Sequence, residues 1–83
     1  MTVRVRLFAA IREALGREQV ELSLAPGATP EDAWRELTRL DVGGVLSGRR
    51  QNLAAAVNRK YSKFDAPLSE GDEVVFIPPV SGG

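Results

Sequence analysis

Two stretches of alternating apolar and polar residues constrain the fold of this chain most strongly: residues 3–7 and 20–24. Glu73 to Ile77, an apolar run after one acidic residue, is predicted to be the last strand. A period of two places successive side chains on opposite faces of a β-strand, so each alternating stretch is predicted to be a strand with one apolar face. That face must be covered by a second layer. In the first two strands the inward residues are predicted to be Val3, Val5, Leu7, Val20, Leu22 and Leu24.

Two large apolar residues fall on the opposite face of these strands. Phe8 follows Leu7, so continued alternation places it off the inner face. In the last strand, Val74 and Phe76 are predicted to point to the core, which places Ile77 on the outer face as well. The outer face of the sheet is therefore expected to carry exposed apolar side chains.

Helix signals separate the strands. Thr29-Pro30-Glu31-Asp32 combines a capping residue, a proline suited to the first helical position and acidic residues at the positive end of the helix dipole. A shorter helix is predicted from Ala9 to Leu15, with Gly16 as its left-handed cap. The residues of the longer helix predicted to share the sheet-facing side are Ala33, Trp34, Leu37 and Leu40.

The second half of the chain reads as a loop followed by strands. Val42 to Gly48 is a Gly-rich connection, Leu53 to Val57 is predicted to be a buried central strand, and Tyr61 to Phe64 another extended piece. Leu68 lies between two turn sequences and is expected to fill the core. One mixed sheet packed against one main helix gives an α+β domain over residues 1–77.

Composition excludes several classes of function. The 83 residues contain neither Cys nor His, which excludes disulfides, thiolate or imidazole catalysis and a zinc-finger site. Eleven basic and eleven acidic residues cancel, so no basic nucleic-acid footprint exists at the level of the chain. No catalytic motif is formed by the remaining polar residues. We therefore expect a protein that is not an enzyme on its own, with no metal and no stably bound cofactor.

No apolar stretch is long enough to span a bilayer. Because Met1-Thr2-Val3-Arg4 leads directly into the first strand, no signal peptide is expected, and a cytoplasmic location is predicted.

The sequence ends in Pro78-Pro79-Val80-Ser81-Gly82-Gly83. Two residues without side chains fit a slot too narrow for any Cβ, and the prolines favour an extended approach to it. Residues 78–83 are therefore predicted to form a flexible tail that enters a partner. An idle, frayed terminus is the alternative.

Several segments together resemble the small subunits of molybdopterin synthase. They are Val5-Arg6-Leu7-Phe8-Ala9 with the Arg12-Glu13 and Gly16 that follow, Ala56-Val57-Asn58, Leu68 to Val74 with its Gly-Asp-Glu-Val, and the Pro-Pro-Val-Ser-Gly-Gly ending. The resemblance covers both ends and the centre of the chain. It implies the ubiquitin-like β-grasp fold.

The resemblance also implies a role as a sulfur carrier in molybdenum cofactor biosynthesis. An enzyme similar to ubiquitin-activating E1 would consume ATP to adenylate Gly83, and sulfur would then replace the adenylate to give a thiocarboxylate. The large synthase subunit would receive the tail and pass the sulfur to a cyclic pyranopterin, in a complex of two small and two large subunits. The tail residues implied to insert are Pro79, Val80, Ser81 and Gly82.

Partners of this family dock on an apolar patch of the sheet, and the matching positions here are Phe8, Tyr61 and Ile77. Tyr61 departs from the aliphatic residue that the family resemblance leads us to expect, although it fills a similar area. The alternative is that Tyr61 and Ile77 only close the edge of the core.

Charged residues offer weaker signals. A basic cluster could steer the chain toward an acidic partner or could be only a solvated face; its members are Arg49, Arg50, Arg59, Lys60 and Lys63. Glu70, Asp72 and Glu73 could orient the chain on a basic partner, but Asp72 is equally a turn former. Gly43 to Arg50 lacks the Lys-Ser/Thr ending of a phosphate loop, so a plain connection is favoured.

Other functions stay open at this point. A sulfur carrier for thiamine or tRNA thiolation would share the activation chemistry, although thiamine carriers tend to lack the segment from Phe8 to Glu13. A ubiquitin-like modifier would instead join Gly83 to a lysine. A plain binding module would keep its function after removal of Gly82 and Gly83.

Overall fold

The structure is a computed structural model, and it describes residues 1–41, 44, 46, 48 and 50–77. These residues include five strands, two α-helices and one 3₁₀ turn. In chain order they are β1 (Thr2–Arg6), α1 (Ala9–Leu15), β2 (Gln19–Ser23), α2 (Pro30–Leu40), the 3₁₀ turn (Arg50–Asn52), β3 (Ala54–Val57), β4 (Lys60–Ser62) and β5 (Glu73–Ile77).

The strands form one mixed sheet in the order β2-β1-β5-β3-β4. β1 and β5 run parallel, whereas the other neighbouring strands run antiparallel. The predicted α+β architecture of one sheet and one main helix is confirmed. The strand predicted from Leu53 to Val57 exists as β3, but the middle of the sheet is occupied by β5.

One face of the sheet packs against α2 to form the core. Trp34 of α2 meets Phe76 of β5 edge to face, with ring centroids 5.2 Å apart, and the Phe64 ring stacks with that of Phe76 at a centroid distance of 6.0 Å. Leu68 is buried, as predicted. The alternation predicted for β1 and β2 is confirmed, since all six inward residues are buried.

The prediction that Leu40 belongs to the core is wrong. Leu40 is the last residue of α2 and is exposed, whereas Ala33, Trp34 and Leu37 of the same helix are buried. The connection predicted over Val42 to Gly48 lies mostly outside the described residues.

The start of α2 forms as the sequence predicts and includes a reciprocal cap. The Asp32 backbone N–H donates to Thr29 Oγ1 at 3.3 Å, and the Thr29 backbone N–H donates to Asp32 Oδ2 at 2.9 Å. These bonds to Thr29, the backbone one first, lower the pKa of the Asp32 carboxyl. At the end of the shorter helix, Gly16 is in the left-handed conformation at φ 67°, which confirms its predicted role as the cap of α1.

None of the helices in the described ranges has the length and apolar character needed to cross a membrane.

Candidate protein-docking face

A shallow depression lies on the face of the sheet opposite α2. Its volume is about 530 Å³. We call it the outer depression, and it is lined by Arg6, Phe8, Ala56, Arg59, Tyr61, Glu73, Val75, Phe76 and Ile77. The three residues predicted to form an apolar patch therefore lie together.

The register of the strands explains why these residues meet. Arg6 of β1 pairs with Val75 of β5, Val75 pairs with Ala56 of β3, and Ala56 pairs with Tyr61 of β4. Paired residues point to the same face of a sheet, so these four side chains form one row across four strands. Ala56 lies within this row and has only a methyl side chain, so the surface is low at this position. The larger side chains around Ala56 form the walls of the depression.

Apolar surface is concentrated here. In the described part of the chain three large hydrophobic residues are exposed, and two of them, Phe8 at 45% and Tyr61 at 81%, line the outer depression. Val75 and Ile77 beside them are half-buried. The prediction that Phe8 and Ile77 lie off the inner face is confirmed. A cluster of exposed apolar side chains on a small domain is typical of a protein interface.

Unusual backbone conformations border the same surface. Ala9, Asn58 and Arg59 have positive φ angles of 48°, 51° and 70°, and they are the non-glycine residues of the described chain that do so. Ala9 directly follows Phe8, and Asn58-Arg59 form the turn between β3 and β4 beside Tyr61. Such conformations cost energy in residues with a Cβ, and they concentrate at functional sites.

Asn58 fastens this turn to the start of β5. Its side-chain Nδ2 donates to Asp72 Oδ1 at 2.9 Å, its Oδ1 accepts the backbone N–H of Glu73 at 3.0 Å, and its own backbone N–H donates to the Glu73 carbonyl at 2.8 Å. Asparagine tolerates the left-handed region better than most residues. The turn and the outer depression are thus held in fixed positions relative to each other.

The predicted charged clusters separate into structural and exposed members. Arg50 belongs to the structure: its Nη2 lies 2.7 Å from Glu31 Oε1, and its guanidinium carbon lies 3.4 Å from the centroid of the Phe64 ring. Arg59 instead lines the outer depression, and Arg49 lies outside the described residues. The basic cluster is therefore not one continuous solvated surface.

Two of the three acidic residues near the end of the chain also have structural partners. Glu70 Oε1 accepts the backbone N–H of Thr2 at 3.0 Å, and Asp72 Oδ2 accepts the backbone N–H of Ser69 at 2.7 Å. Asp72 thus acts as a turn former. Glu73 lines the outer depression.

The predicted tail residues lie outside the described part of the chain; they are Pro79, Val80, Ser81, Gly82 and the carrier position Gly83. The chain reaches them from Ile77, the last residue of β5, which lines the outer depression. The polypeptide therefore continues toward Gly83 from the edge of the apolar surface. The roles of the tail residues stay predictions.

Sequence reasoning missed four residues of this face: Arg6, Ala56, Val75 and Arg59 as a lining residue. The alternation of β5 would have found Val75, which shares the parity of Ile77. The rest depend on which strands lie side by side. The order β2-β1-β5-β3-β4 brings distant segments together, and no local pattern encodes it.

Comparison with known proteins points in one direction. The ThiS family profile matches residues 5–83. The molybdopterin synthase sulfur carrier subunit of Escherichia coli is 37% identical over 81 residues, which span 98% of this chain and 99% of that protein.

Two solved structures extend the comparison. SAMP1 from Haloferax volcanii, a small archaeal modifier protein, superposes with a TM-score of 0.85 at 25% identity over 100% of both chains. A chain from the complex of subunits 1 and 2 of the Helicobacter pylori molybdopterin-converting factor superposes with a TM-score of 0.65 at 26% identity, again over 100% of both. These similarities confirm the predicted β-grasp fold.

Proposed function

The chain belongs to the ThiS family, among the molybdopterin synthase sulfur carrier subunits, and from this premise we propose that it delivers sulfur from a thiocarboxylate on Gly83. The carrier is the small, non-catalytic subunit, and its terminus is a co-substrate. The observation that carries the proposal is the position of Ile77. Ile77, the last described residue before the tail, lines the outer depression, so a partner docked on this surface would lie next to the point where the tail begins.

The chemistry needs no reactive side chain in this protein. A carboxylate is a poor acyl donor, and transfer of AMP from ATP to the Gly83 carboxylate, with release of pyrophosphate, gives it a good leaving group. A sulfur donor at the sulfide level then displaces AMP and leaves the thiocarboxylate. The absence of Cys and His from the sequence is no obstacle, because the reactive sulfur is added at the terminus.

Delivery takes place on the large synthase subunit. The apolar surface of Phe8, Tyr61 and Ile77 binds that subunit, and the tail enters its active site, with Gly82 narrow enough to pass a tight slot. Sulfur is transferred to a cyclic pyranopterin, and water restores the Gly83 carboxylate. Repeated delivery builds the dithiolene of the molybdenum cofactor.

An enzyme similar to ubiquitin-activating E1 performs the activation. It binds the ATP, so the carrier itself needs no stably bound cofactor. We propose that the protein acts in the cytoplasm. The assembled synthase contains two small and two large subunits.

Intact mass spectrometry tests the activation step. The protein is incubated with ATP, the activating enzyme and a sulfur source, beside a variant that lacks Gly83. We expect a mass gain that matches one oxygen replaced by sulfur in the full chain and no gain in the variant. An unchanged mass, with the same enzyme active on another carrier, would contradict the proposal.

A protein modifier is the second candidate, and the similarity to SAMP1 favours it. Both functions start from the same adenylate and differ in the acceptor: a modifier forms an isopeptide bond to lysine, whereas a carrier regains its carboxylate after sulfur transfer. Covalent adducts of this chain on lysines, absent after removal of Gly82 and Gly83, would support the modifier.

A further inference from the structure

Two arginines stand on opposite sides of the outer depression. Arg6 comes from β1 and Arg59 from the turn between β3 and β4, so β5 and β3 lie between them. We propose that Arg59, assisted by Arg6, selects a large subunit that presents carboxylates to the rim of this depression. The inference rests on the proposed function, since it concerns the same docking surface.

The backbone at Arg59 is the first observation in favour. Val57 and Lys60 are register partners, so Asn58 and Arg59 form a two-residue hairpin loop. Both have positive φ, as in a type I′ turn, for which Asn-Gly is the favoured sequence. Asn58 fits this preference. Arg59 occupies the position that glycine would fill without steric cost.

A costly residue at this position has a consequence for the surface. A glycine there would leave the hairpin intact but would remove a cation from the outer depression. Backbone strain of this kind persists only where the surrounding structure holds it, and it clusters at functional sites. The turn is fixed by the hydrogen bonds of Asn58 to Asp72 and Glu73, so Arg59 extends from a rigid base.

The local charge is the second observation. The charged residues that line the outer depression are Arg6, Arg59 and Glu73, two positive and one negative, whereas the whole chain has no net charge. The ion pairs between described residues involve other arginines. Arg35 and Arg39 of α2 and Arg50 of the 3₁₀ turn each pair with an acidic residue of α2. Charges at the rim of an interface govern the rate and selectivity of association.

Arg6 adds a cation to the apolar patch itself. Its guanidinium carbon lies 5.8 Å from the centroid of the Phe8 ring, a distance at which a cation interacts with an aromatic face. The partner that fits is therefore an apolar surface bordered by carboxylates. A neutral or basic border would leave the two guanidinium groups without compensation on docking.

Titration against the purified cognate large subunit tests the inference. The variants are Arg59→Gln, which removes the charge, and Arg59→Gly, which also removes the backbone strain. Arg39→Gln is the matched control, because it removes the same charge from a side chain that is 76% exposed on α2, on the other side of the sheet. Affinity is measured from about 0.05 to about 0.5 M salt, where screening of surface charges becomes strong.

We expect both Arg59 variants to bind about three- to tenfold more weakly than the wild type and to depend less steeply on salt. Arg39→Gln should stay within about twofold of the wild type. Arg59→Gly should melt at or above the wild-type temperature, because glycine suits a positive φ. Lower affinity together with equal or higher stability separates a docking role from a structural one.

Two results would overturn this inference without contradicting the proposed function. The first is wild-type affinity and salt dependence in the Arg59 variants. The second is an equal loss in Arg39→Gln, which would indicate net charge rather than position. A wild-type chain that does not bind an active large subunit at all would instead contradict the proposed function.

Discussion

The two faces of the sheet carry similar residues in different surroundings, and β5 shows this most directly. Val74 and Phe76 are almost completely buried against α2, whereas Val75 and Ile77, their neighbours in sequence, are half-buried in the outer depression. The inner residues are covered by the chain itself. The outer ones are left partly open to solvent, so under the proposed function hydrophobicity on this strand would serve folding at one position and docking at the next.

The inner and outer residues of β5 differ because the rest of the chain covers only the inner face, not because their residue types differ. A buried aromatic ring in a closed core contributes its full burial to the stability of the domain. A half-exposed ring contributes only part of it to folding and keeps the remainder for binding. Substitutions on the two faces should therefore affect two different measurements.

The largest expected effect is on the inner face. Phe76→Ala should lower the free energy of unfolding by about 3–5 kcal/mol, because it leaves a cavity between Trp34 and Phe64. Ile77→Ala, one residue along the same strand, should cost about 1 kcal/mol. Urea denaturation measures both, and equal losses would contradict the division of the strand into two faces.

The outer face should give the opposite result. Phe8→Ala should weaken binding of the large subunit by about tenfold or more, as truncation of a central aromatic residue in an interface does. Its free energy of unfolding should fall by only about 1 kcal/mol, since the ring is 45% exposed. Binding and melting measured on the same preparations check this; losses of similar size in both would remove the docking role of Phe8.

The smallest expected effect lies at the start of α2, where Asp32 does not line the outer depression. Because the pKa of Asp32 is lowered in the folded state, its contribution to stability is present above the pKa of the unfolded chain. That contribution is lost as the pH falls below about 4 through the folded pKa. The comparison is made with Asp32→Asn, which removes the charge of this one carboxyl group and leaves the rest of the chain unchanged.

The stability difference between the wild type and Asp32→Asn should therefore shrink as the pH falls from about 6 to about 2. Denaturation across this range measures it. A difference that does not change with pH would show that the cap does not depend on the charge of Asp32. Binding of the large subunit at neutral pH should be the same for both proteins.

Local sequence patterns predicted what depends on neighbours in the chain. The alternation from Val3 to Leu7, the cap formed by Thr29 and the left-handed Gly16 are each determined within a few residues, and all formed as expected. The outward position of Phe8 followed from the same alternation. Leu40 failed because helical periodicity does not show where the covered sheet stops.

Contacts between distant segments were not predictable in this way. The row Arg6, Val75, Ala56 and Tyr61 exists because β5 inserts between β1 and β3. The resemblance to sulfur carriers supplied Phe8, Tyr61 and Ile77, but not Arg59, whose place in the outer depression depends on its turn. Sequence thus predicted the apolar part of the outer depression and missed Arg6 and Arg59 as lining residues.

The most direct measurement follows the sulfur after activation. Thiocarboxylated protein, the large subunit and the cyclic pyranopterin are mixed, and both the pterin product and the intact mass of the carrier are recorded. A sulfur carrier predicts a dithiolene-containing product and a chain that returns to its original mass. A product without sulfur, or a chain found attached to protein lysines instead, would contradict the account.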